Sequence, residues 1–474
     1  MEEWRWPPAY DESYVPAETA EYWFPQRETM DEEMREQAIL ARIQQVMLYA
    51  YDHSPFYRRK WDASGCLPAD VRSLSDFENV PPVTKEDIRL DQAGHPPYGD
   101  YLCVQRSEVV RVLGTSGTTG RPTAFGISVR DWRAIANAHA RVMWSMGIRP
   151  TDMVFIGSAF SLYAGSWGAL IGAERLGAAA FAFGAGIPGQ TLRAVEWMLQ
   201  MQPTVFYGTP SYALRLAEVA RDKGVDPKEF GLRILFFSGE PGASIPTIRD
   251  EIEQMYGGKV FDSGSMAEMT PWMNLGETTG SAGMLCWQDI VYTEVVDPSS
   301  FARVDYGCEG TPVYTHLERT SQPMIRLLSN DLTRWERGPS ACGRTYPILP
   351  RGIYGRIDDQ LTVRGENIQP TTIEEIVRQL PAYGGEHRII VSREDAMDTL
   401  VVQIEYGADL DGDERAIAEF RKTAESDLRT CLGVRVVVSP LPPNTLERAE
   451  FKARRVIDQR DLFREAAGSP GRAP

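Results

Sequence analysis

The sequence predicts an α/β protein with a large amino-terminal domain, residues 1–357, and a small carboxyl-terminal domain, residues 358–474. The chain of 474 residues is longer than a single hydrophobic core normally supports. Strand-like and helical patterns alternate from about residue 107 to about residue 290, as in parallel strands joined by crossover helices. A second, shorter α/β pattern of roughly a hundred residues ends the chain, which is an ordinary domain size.

The large domain begins with a helical pattern in residues 30–60, where Ile39, Ile43 and Val46 recur at three- and four-residue spacing. Short apolar runs then predict the parallel strands, in the order VVRVL, MVFIG, AAAFAF, TVFYG and RILFFSG. After about residue 290, the runs DIVYTEVVD, TPVYTHL and PMIRLL lie too close together for crossover helices. We therefore expect an antiparallel or barrel-like section there.

The small domain begins near the segment GRIDDQ. The runs RIIVS and TLVVQIEY flank the turn REDAMD and predict two strands. Apolar residues on one face predict a helix from Asp413 to Leu432, with Gly433 as its stop. The run VRVVVS predicts the closing strand.

The composition is that of a globular protein, with 43% hydrophobic and 24% charged residues. Lysine and arginine number 50 against 66 aspartates and glutamates, so the net charge is -16. Such an acidic chain would repel the backbone of nucleic acids and anionic membrane surfaces. We expect neither as a partner, and an anionic nucleotide would need a local site and a cation.

Cysteine usage and the amino terminus predict a cytoplasmic location. The six cysteines are scattered without a CxxC pair, which favours reduced thiols over a zinc site or a disulfide framework. The start MEEWRWPPAYDESY lacks the basic and apolar stretches of a signal peptide. Glu174 and Arg175 interrupt the most apolar window, so we expect no membrane span.

The segment Leu113-GTSGTTGRPT-Ala124 predicts a phosphate loop, because it follows a predicted strand and precedes an apparent helix. Its glycines let the backbone approach a polyphosphate, and its hydroxyl and peptide N–H groups can donate to the phosphates. A flexible linker is the alternative, but Pro122 stiffens the exit. The Walker pattern is excluded because Arg121 stands where Lys would follow Gly120.

A second glycine pattern, GAGIPG at residues 184–189, fits the dinucleotide fingerprint GxGxxG. A dinucleotide site also needs an acidic residue after the next strand, and the run TVFYGTP has none. We interpret the pattern as a tight turn, which leaves a dehydrogenase without support.

Seven ordered segments cover almost the whole chain, namely HSPFYRRKW, SGTTGRPT, GAERLGA, YGTPSYALRLAE, SGEP, GRIDDQLTVRGENIQPTTIEE and AEFKARRVID. Together they resemble the phenylacetate-coenzyme A ligases, a branch of the adenylate-forming superfamily. The resemblance implies the adenylate-forming enzyme fold, in which a multi-subdomain amino-terminal α/β domain with a barrel-like section is followed by a small, mobile α/β domain. Only the resemblance suggests a homodimer.

The resemblance also implies a reaction. A carboxylate would attack the α-phosphorus of ATP, release pyrophosphate and form an acyl adenylate, from which the thiol of coenzyme A would displace AMP. ATP, Mg²⁺ and coenzyme A are the implied cofactors, and an aromatic carboxylic acid, aryl or arylacetic, is the implied substrate. The sequence leaves the acceptor open, since an amine or a carrier-protein thiol could replace coenzyme A.

Three residues match catalytic positions of the family. Lys452 matches the lysine that bridges the acid and the α-phosphate, where its charge stabilises the transition state. Glu268 matches the acid that holds Mg²⁺, an ion that prefers oxygen ligands. Arg121 keeps the positive charge of the lysine that relatives usually have in the phosphate loop. In isolation, Glu268 would be interpreted as a surface carboxylate and Lys452 as a solvated cation.

Nucleotide-binding positions match the phosphate loop, the adenine walls, the ribose acid and the arginine near the domain junction, where Asp358 matches the hinge. They are Thr115, Ser116, Gly117, Thr118, Thr119, Gly120, Ser238, Gly239, Glu240, Pro241, Asp262, Ser263, Met266, Ala267, Asp331 and Arg356. Two positions depart from the family, because Gly264 stands where relatives usually carry Tyr and Asn330 replaces a usual Gly. The retained charged residues argue against a catalytically idle nucleotide-binding protein.

Positions that match the acid pocket are rich in aromatic side chains, which suits an aryl acid. They are Phe160, Tyr163, Ala164, Trp167, Pro271 and Trp272, with Gly239 and Met273 beside them. Aromatic residues next to strands more often belong to the core, which is the competing interpretation. Trp167 is larger than the residue expected there, so we predict a pocket reshaped away from simple phenylacetate.

Overall fold

The computed structural model describes residues 6–115, 123–162, 164–185, 189–264, 266–269, 274–280, 283–357, 359–363, 366–394, 397–448 and 455–460. These residues form two compact units, one ending at Tyr354 and one beginning at Gly355. Each unit has its own hydrophobic core. The predicted α/β class with a separate carboxyl-terminal domain is thereby confirmed. Across the described ranges, no helix combines the length and apolar character that a membrane crossing requires.

The helices of the first unit lie mostly between strands and before the first strand. In the described residues they are α1 Pro25–Glu28, α2 Glu32–His53, α3 Pro55–Ser64, α4 Leu74–Phe77, α5 Lys85–Gly94, α6 Val129–Ser145, α7 Ala164–Leu176, α8 Gln190–Met201, α9 Pro210–Asp222 and α10 Pro246–Tyr256. The predicted entry helix is therefore two consecutive helices, α2 and α3. They separate at Ser54, whose side chain accepts a hydrogen bond from the Tyr57 N–H and so caps the second helix.

The strands of the first unit occur in several sheets. In the described residues they are β1 Val109–Gly114, β2 Ala124–Ser128, β3 Met153–Ile156, β4 Ala179–Phe181, β5 Val205–Gly208, β6 Ile234–Phe237, β7 Lys259–Gly264, β8 Leu275–Gly276, β9 Met284–Cys286, β10 Val291–Val296, β11 Glu309–His316, β12 Leu327–Leu328, β13 Asp331–Arg334 and β14 Ile348–Leu349.

The largest sheet has the strand order β14-β9-β8-β7-β6-β5-β3-β4. The neighbours from β4 through β7 are parallel, whereas β8, β9 and β14 add antiparallel strands at the β7 edge. Helices α7 to α10 connect the successive parallel strands β3 to β7. The residues of β5 and β6 are buried throughout, as expected for strands covered on both faces. The predicted parallel strands MVFIG, AAAFAF, TVFYG and RILFFSG are confirmed.

The run VVRVL forms a strand, as predicted, but its predicted parallel pairing is wrong. It forms β1, which pairs antiparallel with β2 in a separate two-stranded sheet. The segment expected to open a helix after the phosphate loop is instead the strand β2, and α6 begins only at Val129. The loop therefore joins two antiparallel strands, and its flanks are held by cross-strand hydrogen bonds rather than by a helix amino terminus.

The section after residue 290 is antiparallel, as predicted. Strand β11 pairs with β10, β12 and β13, always in the antiparallel sense. One parallel bridge joins Val83 to Leu327 of β12. This bridge brings the segment before α5 to the strand that leads to Asp331.

The second unit is a small α/β domain. Its elements within the described residues are β15 Gly355–Arg356, β16 Leu361–Val363, β17 Glu366–Ile368, α11 Pro370–Arg378, β18 Tyr383–Glu394, β19 Met397–Tyr406, α12 Glu414–Leu432, β20 Val436–Leu441 and β21 Val456–Asp458. The sheet order is β20-β19-β18-β21. Asp413 caps α12 and Gly433 ends it in the left-handed conformation, which confirms the predicted helix and its stop.

Candidate functional site

The flanks of the predicted phosphate loop are fastened to each other. The Thr115 N–H donates to Thr123 O at 3.1 Å, and the Thr123 N–H donates to Thr115 Oγ1 at 3.2 Å. A β-carbon at Gly114 would lie 2.5 Å from Thr123 O, so only glycine allows the strands to approach this closely. The remaining loop positions lie outside the described residues and are Ser116, Gly117, Thr118, Thr119, Gly120 and Arg121.

Gln92 of α5 holds the exit of this loop. Its Oε1 accepts from the Ala124 N–H at 3.0 Å, and its Nε2 donates to Ala124 O at 2.6 Å and to the Tyr101 hydroxyl at 3.1 Å. Gln92 is buried. One side chain thus satisfies both backbone groups of the residue at which β2 begins. Sequence reasoning missed this contact.

Glu268 lies in a single 3₁₀ turn, Ala267–Met269, that follows β7. Its residue exposure is only 5%, which excludes the surface carboxylate that its isolated position would suggest. Lys85 Nζ lies 3.5 Å from Glu268 Oε1. The buried Arg319 donates to Glu268 O at 3.5 Å and to Gly126 O of β2 at 3.4 Å. The turn is therefore linked to the strand after the phosphate loop.

His316 fixes the other end of the same turn. Its Nδ1 accepts from the Met324 N–H at 3.0 Å, which leaves Nε2 to donate to Met269 O at 3.2 Å. Burial, aided by the nearby Arg319 guanidinium, holds the pKa of His316 well below its usual value. A neutral imidazole is the form that can both accept and donate in this way. His316 thus positions the Glu268 turn without carrying charge.

The predicted adenine-wall segment Ser238–Pro241 follows the carboxyl end of β6. The Ser238 and Tyr207 hydroxyls lie 2.6 Å apart, and Glu240 Oε1 accepts from the Ser211 N–H at 2.8 Å. Gly239 has a φ of +94°, a conformation that favours glycine. The end of β6 is thereby tied to the end of β5, its neighbour in the sheet.

Asp262 and Ser263 lie at the carboxyl end of β7 and are both buried. The Ser263 hydroxyl donates to Phe237 O at 2.7 Å, and the Asp262 N–H donates to Glu277 Oε2 at 2.7 Å. Burial, reinforced by the Glu277 carboxylate, raises the pKa of Asp262 well above its usual value. Met266, the next predicted residue of this wall in the described chain, is also buried.

The structure shows what occupies the space beside Gly264, where an aromatic ring was expected. A β-carbon at Gly264 would lie 3.2 Å from Leu275 Cδ1 and 3.7 Å from Met284 Sδ. Apolar side chains from β8 and β9 therefore stand against this position. At the second departure, Asn330 has a φ of +61°, which Asn tolerates better than most residues. Asp331 follows it, is largely buried, and donates its N–H to Ser329 Oγ at 3.0 Å.

Two of the predicted acid-pocket aromatics pack against each other. The rings of Phe160 and Trp167 meet edge to face with centroids 5.2 Å apart. The indole N–H of Trp167 donates to Ser161 O at 2.9 Å, and the Arg111 guanidinium lies 6.0 Å from the Trp167 ring centroid. Ala164 is buried at the start of α7. Tyr163, Pro271, Trp272 and Met273 lie outside the described residues.

Arg356 belongs to the second unit, where its Nε lies 3.5 Å from Asp359 Oδ2. Lys452 and Asp358 lie outside the described residues.

The parallel sheet gathers most of the described candidates at one edge. Phe160 follows β3, Ser238–Pro241 follow β6, and Asp262 and Glu268 lie at or after the end of β7. The carboxyl ends of parallel strands all point to the same edge, which is where open α/β sheets bind ligands. Lys85, Gln92 and Arg319 reach this region from chain-distant elements. A helix start at Thr84 is recognisable from the Thr84 and Asp87 capping pair, but no local pattern indicates which acid Lys85 contacts.

We expect Gln92→Leu to loosen the exit of the phosphate loop. Leucine leaves the partly buried N–H and C=O of Ala124 without their side-chain partner, which costs about 1 kcal/mol or more. Urea denaturation should show this loss, and the KM for ATP, the nucleotide that the family resemblance implies, should rise. Gln44→Leu is the control, because Gln44 donates one hydrogen bond to Val71 O in another part of the unit. Equal effects of the two substitutions on KM would contradict a role for the Gln92–Ala124 hydrogen bonds in nucleotide binding.

Comparison with known proteins gives the following matches. Residues 46–311 match the AMP-binding enzyme family, and residues 365–460 match the AMP-binding enzyme C-terminal domain. The chain is 33% identical over 440 residues to the phenylacetate-coenzyme A ligase of Pseudomonas putida, with 91% of this chain and 96% of that protein covered. It is 32% identical over 451 residues to the enzyme of the same name from Thermus thermophilus, with 92% and 99% covered.

A solved structure is more similar in sequence. A 2-hydroxyisobutyryl-CoA ligase in the postadenylation state, in complex with 2-HIB-AMP, matches with a TM-score of 0.94 and 58% identity over 98% of each chain. A structure of that ligase with 2-HIB-AMP and CoA in the thioesterification state matches with a TM-score of 0.75, again at 58% identity and 98% coverage of each chain.

Proposed function

We propose that this chain, which belongs to the phenylacetate-coenzyme A ligase family and is an AMP-forming acyl-CoA ligase, takes a short, branched 2-hydroxy acid as its substrate. The observation that carries the proposal is the 58% identity over 98% of the chain to a 2-hydroxyisobutyryl-CoA ligase. The two phenylacetate-coenzyme A ligases compared above are 32% and 33% identical to the chain. ATP and coenzyme A are the co-substrates, and the acceptor that the sequence left open is assigned to the coenzyme A thiol.

The packing of Trp167 supports a small acid. Its indole is a large group at a position assigned to the acid pocket, and three contacts hold it there. These are the edge-to-face contact with Phe160, the hydrogen bond to Ser161 O and the Arg111 guanidinium beside the ring. Because these contacts restrain the partly buried indole, the volume it takes at this position is less available to a phenyl group.

An aromatic acid is the second candidate. The family relatives with phenylacetate in their names favour it, as do the aromatic side chains of Phe160 and Trp167. A phenyl ring could add an edge-to-face contact to such a pair, which is worth about 0.5–1.5 kcal/mol. The two candidates differ in the size of pocket they require.

In the proposed reaction, the described residues bind and orient the nucleotide. The fastened flanks Thr115 and Thr123 would set the path of the phosphate loop, and Asp331 would accept hydrogen bonds from the ribose hydroxyls. Ser238–Pro241 and Asp262 would line the adenine site from the ends of β6 and β7. Arg121 and Lys452, carried over from the family, would supply positive charge at the phosphates and at the developing acyl phosphate bond.

Glu268 fits a magnesium ion. Its carboxylate offers a hard oxygen ligand, and one such ligand is enough when phosphates and waters complete the shell. The carboxylate is buried and its turn is held by Arg319 and His316, so its position is fixed before a metal arrives. When bound there, Mg²⁺ would neutralise charge between the phosphates.

A panel of acids tests the proposal. Purified enzyme with Mg-ATP should release pyrophosphate when 2-hydroxyisobutyrate is added, and coenzyme A should convert the adenylate to a thioester. We expect kcat/KM for 2-hydroxyisobutyrate to exceed that for phenylacetate by about tenfold or more, since pocket volume changes of a few methylenes discriminate on this scale. A higher kcat/KM for phenylacetate would favour the aromatic candidate. Release of adenylate without thioester would argue against coenzyme A as the acceptor.

Trp167→Ala supplies the matched variant for the same assay. Removing the indole should reduce the preference for the small acid, because space for a ring is created. Trp197→Ala is the control, since Trp197 is an exposed tryptophan on α8 that meets Phe181 edge to face. The ratio of kcat/KM values should move in the Trp167 variant and stay unchanged in the Trp197 variant. A ratio unchanged in both would refute the role of Trp167 in the pocket.

A further inference from the structure

The amino terminus of α5 carries Lys85, whose side chain contacts Glu268, the candidate magnesium ligand. Lys85 Nζ lies 3.5 Å from Glu268 Oε1, and the side chains are 25% and 6% exposed, respectively. Neither the sequence motifs nor the family resemblance assigned Lys85 a role. A cation at this position is informative because it contacts a carboxylate oxygen of the kind that a magnesium ion prefers as a ligand.

Lys85 contacts Glu268 while acids on its own helix are engaged by other cations. Asp87 caps α5 and pairs with Lys60 of α3 at 3.0 Å, and Glu86 pairs with Arg89 at 3.3 Å. The local carboxylates therefore have partners of their own. The Lys85–Glu268 pair is instead a contact between chain-distant elements.

The backbone beside Lys85 is anchored. The Val83 N–H donates to Arg326 O at 2.8 Å, and the Leu328 N–H donates to Val83 O at 2.9 Å. The Thr84 hydroxyl then accepts from the Asp87 N–H and fixes the start of the helix. About two turns further along, Gln92 is hydrogen-bonded to the backbone of Ala124 at the exit of the phosphate loop. Helix α5 thus connects the phosphate loop, the candidate magnesium ligand Glu268 and the strand before Asp331.

We propose, resting on the proposed function, that Lys85 is a positioning residue that holds the Glu268 carboxylate and makes a divalent cation compete for it. The 3.5 Å between Lys85 Nζ and Glu268 Oε1 is longer than a strong charge-assisted hydrogen bond, so the pair can open. The flexible four-carbon stem of lysine lets the ammonium move away from the carboxylate. A free metal ion must break the Lys85–Glu268 pair to bind and offers the ammonium no new partner. A metal ion that arrives with ATP brings phosphate oxygens, which can accept hydrogen bonds from the released ammonium. The pair therefore favours entry of the metal as its nucleotide complex.

Binding of Mn²⁺ to the nucleotide-free, full-length enzyme tests this inference without measuring activity. The concentration of free Mn²⁺ can be followed by electron paramagnetic resonance. Lys85→Met should bind Mn²⁺ about fivefold more tightly than the wild type, the change expected for a partly exposed ion pair of about 1 kcal/mol. Lys85→Arg, which keeps the charge, should remain near the wild type. Lys60→Met is the control, because the Lys60 side chain is about as exposed as that of Lys85, 21% against 25%, and pairs with a different carboxylate, that of Asp87.

A double variant separates the contact from general charge effects. In Lys85→Met/Glu268→Gln, the gain in Mn²⁺ affinity should disappear, since the carboxylate that receives the metal has been removed. An equal gain in Lys60→Met and Lys85→Met, or a gain that survives in the double variant, would overturn the inference. So would unchanged affinity in Lys85→Met. The acid panel remains a separate test, because an enzyme that fails there can still show the Mn²⁺ shift.

Discussion

Lys452→Ala should lower acid-dependent pyrophosphate release by about a hundredfold to a thousandfold while leaving thioester formation from a supplied acyl adenylate largely intact. In the adenylation step, negative charge develops as the carboxylate oxygen attacks the α-phosphorus, and one well-placed cation stabilises it on this scale. In the second step, the thiol attacks the carbonyl carbon and AMP leaves, so the same ammonium is not required. Lys452 lies outside the described residues, and its role is carried over from the family.

The two half-reactions are measured separately to test this role. Pyrophosphate release is followed with ATP and the acid, and thioester formation is followed with synthetic adenylate and coenzyme A. Lys422→Ala is the control, because Lys422 is an exposed lysine on α12 of the second unit. It should change neither rate. An equal loss of both half-reactions in Lys452→Ala would refute the assignment and indicate a structural defect instead.

Patterns local in sequence predicted the parallel sheet and the carboxyl-terminal domain well. Buried parallel strands are continuous apolar runs, which is why the segments that form β3, β5 and β6 were identifiable. Helix α12 was predicted with its stop, because Gly433 provides the left-handed residue that ends it. The strand β1 was also identified, but its partner was not. An apolar run shows that a strand exists and does not show whether its neighbour is parallel or antiparallel.

The candidate site was also predictable only where the sequence pattern is local. Motifs found Glu268 and Asp331 because their neighbours in the chain match a family pattern. Lys85, Gln92 and Arg319 were missed because their partners are distant in the chain, and only the fold brings them together. The missing ring at Gly264 was noticed from sequence, whereas the apolar groups of Leu275 and Met284 that stand there became visible only in the structure.

The charge of the site depends on such distant contacts. With a net charge of -16, the chain offers ATP no general attraction, so local cations must hold the triphosphate. Lys85 and the buried Arg319 both lie at the Glu268 turn. Their positive charge offsets the negative charge of the Glu268 carboxylate, the candidate magnesium ligand.

A second buried charge network fixes the amino-terminal segment of the first unit. The Glu28 carboxylate is fully buried and accepts from the Trp23 and Phe24 N–H groups at 3.1 and 2.9 Å. Arg344 Nε donates to the same carboxylate at 2.8 Å, and Arg141 lies 3.8 Å from it. Burial raises the pKa of Glu28 despite these cations. The carboxylate therefore depends strongly on its partners.

Arg344→Met should accordingly lower the free energy of unfolding by about 3–5 kcal/mol at neutral pH. The substitution leaves the buried Glu28 carboxylate with Arg141, which is farther away, as its cation. Urea denaturation followed by circular dichroism measures the loss. Arg334→Met, which breaks an exposed pair with Glu336, should cost no more than about 0.5 kcal/mol. The double variant Arg344→Met/Glu28→Gln should recover part of the loss, since a neutral amide oxygen can still accept from Trp23 and Phe24. If Arg344→Met is as stable as Arg334→Met, the buried network does not hold this segment.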